Sequence, residues 1–188
     1  FFKQKTAYEI KECDWSSDVC SSDLLRFDRT SVAMVEGLHS VGIKVFSIYE
    51  LGFPTSAKYF SAAQGEHDAI TAVSAAKTLG QPNKTPIFMA FDYDASPFDI
   101  KGACRDYMIA TRKVILASNY YAGAYGSGSL LKAFLDEGIV HNTFLAQSTG
   151  WAGYSAFKNS ASIVQGPVSS VLGLDVDLVE VKDLSVLW

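Results

Sequence analysis

Long apolar runs are missing from this chain. No stretch of about eighteen residues is apolar throughout, so the sequence encodes no membrane-spanning helix. An excess of basic charge is missing too: 16 Lys and Arg face 20 Asp and Glu, giving a net charge of −4 and a pI near 5.3. That balance argues against a nucleic-acid-binding surface and against a polybasic membrane anchor. His39, His67 and His141 have no metal-ligand spacing, and neither a Walker lysine nor a dinucleotide fingerprint occurs. No cofactor is expected. Internal repeats and low-complexity stretches are also lacking. What remains is 188 residues, 48% apolar and 19% charged, the size and composition of one globular domain.

The first 24 residues differ from the rest. They show neither helical nor alternating apolar periodicity, have no apolar core of a secretory signal, and carry Cys13 and Cys20, two of the three cysteines. Residues 3–10 and 14–24 back-translate, in one continuous frame, into sequences resembling the two fixed parts of a short-read sequencing adapter. The codons between them leave 8 variable bases, a common barcode length. Residues 1–24 are therefore expected to be translated adapter DNA outside the fold, with a single domain over 25–188; an independent assembly of the source genome tests this. Without that segment the chain keeps one cysteine, Cys104, so no intrachain disulfide is possible and the redox compartment cannot be read from cysteines.

From Leu25 onward, helix-like and strand-like segments alternate. Residues 31–41 put Val32, Val35, Leu38 and His39 on one face, stopped by Gly42. Residues 65–79 are Ala-rich, with Ile70, Val73 and Ala76–Lys77 at helical spacing and Gly80 beyond the end. Ser96-Pro97-Phe98-Asp99 has the form of a capping box opening a helix to about Ser118, and 127–137 is a shorter helix. Strands are expected at 43–49, 86–94, 119–125, 143–147, 162–165 and 174–181. Alternation of this kind implies a parallel sheet, and strands apolar throughout, such as 87–91, imply that both its faces are covered. The expected fold is a (β/α)8 TIM-like barrel lacking strand 1 and most of strand 2; the alternative is an open doubly wound parallel sheet, which needs no missing parts.

In such folds ligands meet the C-terminal ends of the strands. Those ends carry Tyr49 and Glu50, then Asp92-Tyr93-Asp94, Tyr125 with Gly126-Ser127-Gly128, Gln147 followed by Trp151, Gln165, and Asp175 with Asp177. Carboxylates, amides and aromatics gather there without a lysine, which argues against Schiff-base chemistry. Asp92 and Asp94, two apart on a strand, share a face. Two close carboxylates cannot both ionise cheaply, so one becomes a proton donor while the other stays charged, the arrangement that glycosidic cleavage needs. The plainer alternative is that one aspartate caps the next helix and the other ends its strand in water. Trp151, Tyr125 and Tyr93 suit stacking on sugar rings, with Gln147 and Gln165 as partners for hydroxyls, although such aromatics are commonly half-buried fillers. The loop from Gly126 to Ser129 could hold an anion through backbone N–H groups, though a simple helix start is favoured. Cys104, within a helix, is expected to be inert packing.

The stretches GLHSVGIKVFSIYE, GEHDAITAVSAAKTLG, PIFMAFDYD, AGAYGSGSLL, QSTGW and LDVDLVEV, in this order, resemble the bacterial domain-of-unknown-function 1906 family, the glycoside hydrolase-like domain of the Rv2525c type. The resemblance implies a TIM barrel related to the lysozyme-like family 25 hydrolases, which cut peptidoglycan, and an exported or envelope-associated protein. It also implies that Asp92 and Asp94 fall on a D-x-E motif and that Asp175 or Asp177 falls on a last-strand acid. The expected catalytic set is Asp92, Asp94 and Asp177. The expected sugar-binding set is Tyr49, Glu50, Tyr125, Gln147, Trp151, Gln165 and Asp175, with a polysaccharide or peptidoglycan as partner. Two departures stand out. The motif's glutamate is Asp94, whose shorter side chain sets a proton donor back by about 1.5 Å, enough to cost on the order of a hundredfold in rate. The first-strand aspartate is absent. The alternative function is a binding or scaffolding module on the same barrel.

Overall fold

A computed structural model describes residues 8–10, 31–171 and 174–188, without the side chains of 8–10 and 170–176. Its strands are β1 (Tyr8–Ile10), β2 (Ser47–Tyr49), β3 (Pro86–Ala90), β4 (Tyr121–Gly126), β5 (Asn142–Leu145), β6 (Ile163–Val171) and β7 (Leu174–Val181). The helices of the main α-type are α1 (Val32–Ser40), α2 (Ala62–Thr78), α3 (Pro97–Lys101), α4 (Ala103–Ala117), α5 (Gly128–Asp136) and α6 (Tyr154–Phe157). Among the described residues the strands form one sheet in the order β1-β7-β6-β5-β4-β3-β2.

From β2 to β6 the pairing is parallel and strictly sequential. That order has no reversal, so the doubly wound alternative does not describe it. Six strands, β2 to β7, curl into a half-barrel within a mixed α/β fold. The expectation of a wholly parallel sheet fails at the end: β7 runs antiparallel to β6. Only residues 172–173 separate the two strands, too few for a crossover and enough for a hairpin. β6 also continues past Gln165, the expected end of the strand, through Gly166-Pro167 to Val171. The structure absorbs both residues in an irregularity between Gln165 and Val168, as bulges do.

β1 comes from the adapter-like segment and adds antiparallel to the outer edge of β7, Glu9 opposite Asp177. Main-chain hydrogen bonds on an open edge accept nearly any extended segment, so this pairing is indifferent to the origin of the residues.

The sheet's two faces differ. On the outside, Ile87, Met89, Phe91, Ala122, Ala124, Leu145 and Val164 belong to the large core formed with the helices. Gly65 on α2 allows a close helix contact: a Cβ there would collide with the Tyr107 carbonyl of α4, and Thr111 donates to the Gly65 carbonyl at 3.1 Å. On the concave side Phe46, Phe88 and Phe144 meet edge-to-face, with Val179, Val186 and Leu187 closing the cluster. The chain's last residue exchanges two backbone hydrogen bonds with Val45, at 2.8 and 2.9 Å, which ties the C-terminus to the start of β2.

Helix register departs from the apolar spacing in places. In α1 only Val35 is buried, and in α2 Ile70 is 57% exposed while Asp68 is buried on the stripe with Ala69, Ala72, Val73 and Ala76. Small residues define the buried stripe because α2 lies so close to α4. The capping box at Ser96 and Asp99 forms as expected, but the helix it opens breaks at Gly102.

Candidate functional site

The C-terminal ends of the parallel strands carry the candidate site. Just beyond β3, Phe91 and Tyr93 pack with the helix-side core, and Asp92 between them is half-buried. The strand itself ends at Ala90, which puts Asp92 and Asp94 in the following loop instead of on regular strand. The Asp92 N–H donates to the Pro54 carbonyl at 3.0 Å, fastening this loop to the one after β2. Asp94 is exposed, and its Oδ1 accepts the Ala152 N–H at 2.9 Å. Asp94 thereby staples the β3 loop to the loop that carries Trp151.

A buried hydrogen-bond chain crosses the concave face between β4, β6 and β7. The Tyr125 hydroxyl donates to Gln165 Oε1 at 2.9 Å, and the Gln147 backbone N–H donates to the same oxygen at 3.1 Å. With two donors on Oε1, the Gln165 amide has its Nε2 turned to Asp177 Oδ2, 2.8 Å away. Asp177 is only 4% exposed. Trp151, half-buried, packs against the same concave cluster.

Among the sequence-predicted residues, the structure thus brings together Tyr125, the Gln147 backbone, Gln165 and Asp177, with Trp151 on the same side. Gln165 is engaged by protein partners and holds Asp177 in orientation. Tyr49 goes elsewhere: its ring packs with the helix-side core and its hydroxyl donates to Asp68. Glu50 is half-buried at the end of β2. The Asp175 side chain lies outside the described residues. Tyr93 stacks on Phe60 and bonds the Cys104 thiol at 3.0 Å. Burial pushes the Cys104 pKa up to about 11 and raises that of Tyr93, so the thiol is inert, as expected from its place in a helix. The anion reading of the Gly126–Ser129 loop does not hold. The Ser129 N–H is taken by the Ala152 carbonyl at 2.8 Å, and Gly128 is pressed against the Gly153 carbonyl. Among the described residues no group of three His, Cys, Asp or Glu side chains could hold a metal.

Two features escaped the sequence reading. Asp68, 1% exposed, accepts four hydrogen bonds: from Tyr49 and Gln64 on Oδ1, and from Tyr59 and Tyr107 on Oδ2 at 2.6 and 2.8 Å. Burial first, then the Asp68 carboxylate, raises the pKa values of Tyr59 and Tyr107. The second is Phe53, 60% exposed, with φ at 62°. No spacing rule links residues 49, 59, 68 and 107, and no sequence signal marks Phe53.

The profile of a family described as "Rv2525c-like, glycoside hydrolase-like domain" matches residues 21–179. The chain belongs to this family. Its solved structural relatives include the Tat-secreted protein Rv2525c of Mycobacterium tuberculosis, in complex with L-tartrate: TM-score 0.70 at 19% identity, covering 80% of this chain and 74% of that one. An uncharacterized B. stearothermophilus protein is similar at TM-score 0.58 and 18% identity, over 85% and 80% of the two chains. Two uncharacterized Bacillus subtilis proteins are related in sequence. FadG is 29% identical over 156 residues, covering 77% of this chain, and YbfG is 33% identical over 120 residues, covering 60%. The chain spans only 27% of FadG and 16% of YbfG. In this Rv2525c-like chain the half-barrel is therefore the feature shared with solved relatives.

Proposed function

We propose that this Rv2525c-like domain binds a bacterial cell-wall polysaccharide in the concave mouth and hydrolyses it there. The observation that supports this best is the buried Asp177 carboxylate, oriented by Gln165 and Tyr125, on the face where Trp151 packs. Buried, oriented carboxylates cluster at functional sites. In the proposed step Asp94, pinned at Oδ1, presents Oδ2 as proton donor to the leaving oxygen. Asp92 is the charged partner, and Asp177 reinforces the negative field on the developing oxocarbenium ion. Water adds to the anomeric carbon as the glycosidic C–O bond breaks, and the proton it loses goes to the Asp92–Asp94 carboxylate pair. Trp151 supplies an apolar platform for a sugar ring. The half-barrel is read as the larger part of a (β/α)8 barrel, and the description of Rv2525c as Tat-secreted supports the cell envelope as the place of action.

One observation favours the second reading, a binding module without chemistry: Asp94 is exposed and one of its oxygens serves as a loop staple. Reducing-end release from purified peptidoglycan separates the two. The hydrolase reading expects release by the unmodified chain and a loss of at least about a hundredfold in both Asp92→Asn and Asp94→Asn, the contribution typical of acid–base catalysis. Binding without release supports the module, and release unaffected by both substitutions contradicts the assignment of these aspartates.

A further inference from the structure

We infer that Phe53 is a sugar-stacking platform on the rim of the mouth. The inference rests on the polysaccharide reading and adds a residue to it. Phe53 lies in the loop after β2, and 60% of its surface is open to solvent. A large apolar ring so exposed gains little from burial, and its backbone adds a second cost. At φ 62° Phe53 occupies the left-handed region, which a bulky side chain rarely adopts and which Gly or Asn would occupy with less strain.

The turn is also fixed from three sides. The Tyr59 hydroxyl lies 2.8 Å from the Leu51 carbonyl and 2.6 Å from Asp68. Gly52, at φ 77°, sits so close to the Tyr59 ring that a Cβ would meet it at 2.8 Å. The Thr55 N–H closes back on the Phe53 carbonyl at 2.7 Å, and the Pro54 carbonyl accepts the Asp92 N–H at 3.0 Å. The network therefore holds an aromatic ring open on a loop whose next residue is bonded to the backbone of a candidate catalytic aspartate. Rings with apolar faces match the axial C–H face of a pyranose, and pre-fixing the backbone limits the ordering cost of binding.

Calorimetric binding of the full chain to purified peptidoglycan glycan strands, stripped of stem peptides, tests this. Phe53→Gly removes the ring and relieves the backbone, so it should fold with an unchanged or higher thermal midpoint yet bind about tenfold more weakly, or about 1.4 kcal/mol. Phe53→Trp keeps a stacking surface and should bind within about threefold of the unmodified chain. Equal affinity of Phe53→Gly and the unmodified chain overturns the role of Phe53 and leaves the polysaccharide reading standing; equal loss in both variants overturns the stacking role. No binding by the unmodified chain overturns the polysaccharide reading itself and the inference with it.

Discussion

Replacing Asp68 with leucine is expected to destabilise the protein by about 4 kcal/mol and to lower its thermal midpoint by roughly 8–16 °C. Asp68 is an acceptor for four donors in a site with almost no solvent. Leaving a buried donor without an acceptor costs about 1–3 kcal/mol each. Two effects hold the sum below the full product. Tyr59 keeps the Leu51 carbonyl as an alternative acceptor, and removing the carboxylate also removes the cost of burying it. Asp68→Asn retains one acceptor oxygen and should lose about half as much. Circular dichroism melts of both variants check the ranking, and a loss below about 1 kcal/mol in the leucine variant would contradict it.

The same cluster dictates an alkaline limit. Tyr59 and Tyr107 have pKa values raised above the unfolded value of about 10, by burial and then by Asp68. Above about pH 10 the unfolded chain gives up these protons while the folded chain keeps them, so the unfolded state holds fewer and stability falls as pH rises. Below about pH 10 their contribution is complete and flat.

Gln165→Glu is the second large effect. In the native protein the amide Nε2 faces Asp177 Oδ2 at 2.8 Å in a buried setting. A carboxylate in its place puts two like charges in contact, and one must take up a proton or the contact must open. The variant should lose about 3–5 kcal/mol at pH 7. The sign with pH follows: one carboxyl of the pair has a raised folded pKa, so the loss is smallest near pH 4 and grows as pH climbs. Gln165→Leu removes the acceptor of Tyr125 and the Gln147 N–H and also the donor to Asp177, but adds no charge, so it should cost about 3 kcal/mol with a weaker pH dependence of the same sign. Melts of the two variants at several pH values distinguish repulsion from simple loss of hydrogen bonds.

The elements were legible where they depend on local chemistry. Ser96 and Asp99 announce their capping box, and the β-branched and aromatic runs mark all six strands after Leu25. What was not legible depends on partners distant in sequence. The antiparallel pairing of β7 follows from a two-residue connection that the expected strand end at Gln165, six residues short of the observed one, concealed. Tyr49 has the look of a strand-end sugar ligand but finds Asp68, 19 residues away. Gln165 reads as a free amide, and only the fold brings Tyr125 from 40 residues away to occupy its oxygen. Phe53 is invisible in sequence because its meaning lies in exposure and backbone angle.

The central claim is that a polysaccharide occupies the concave mouth, and a crystal structure of the full chain with peptidoglycan glycan strands tests it most directly. The account predicts a sugar ring against Trp151 and a glycosidic oxygen facing Asp92 and Asp94. Glycan seated against the helix-covered face or the β1 edge, with the mouth empty, would contradict it.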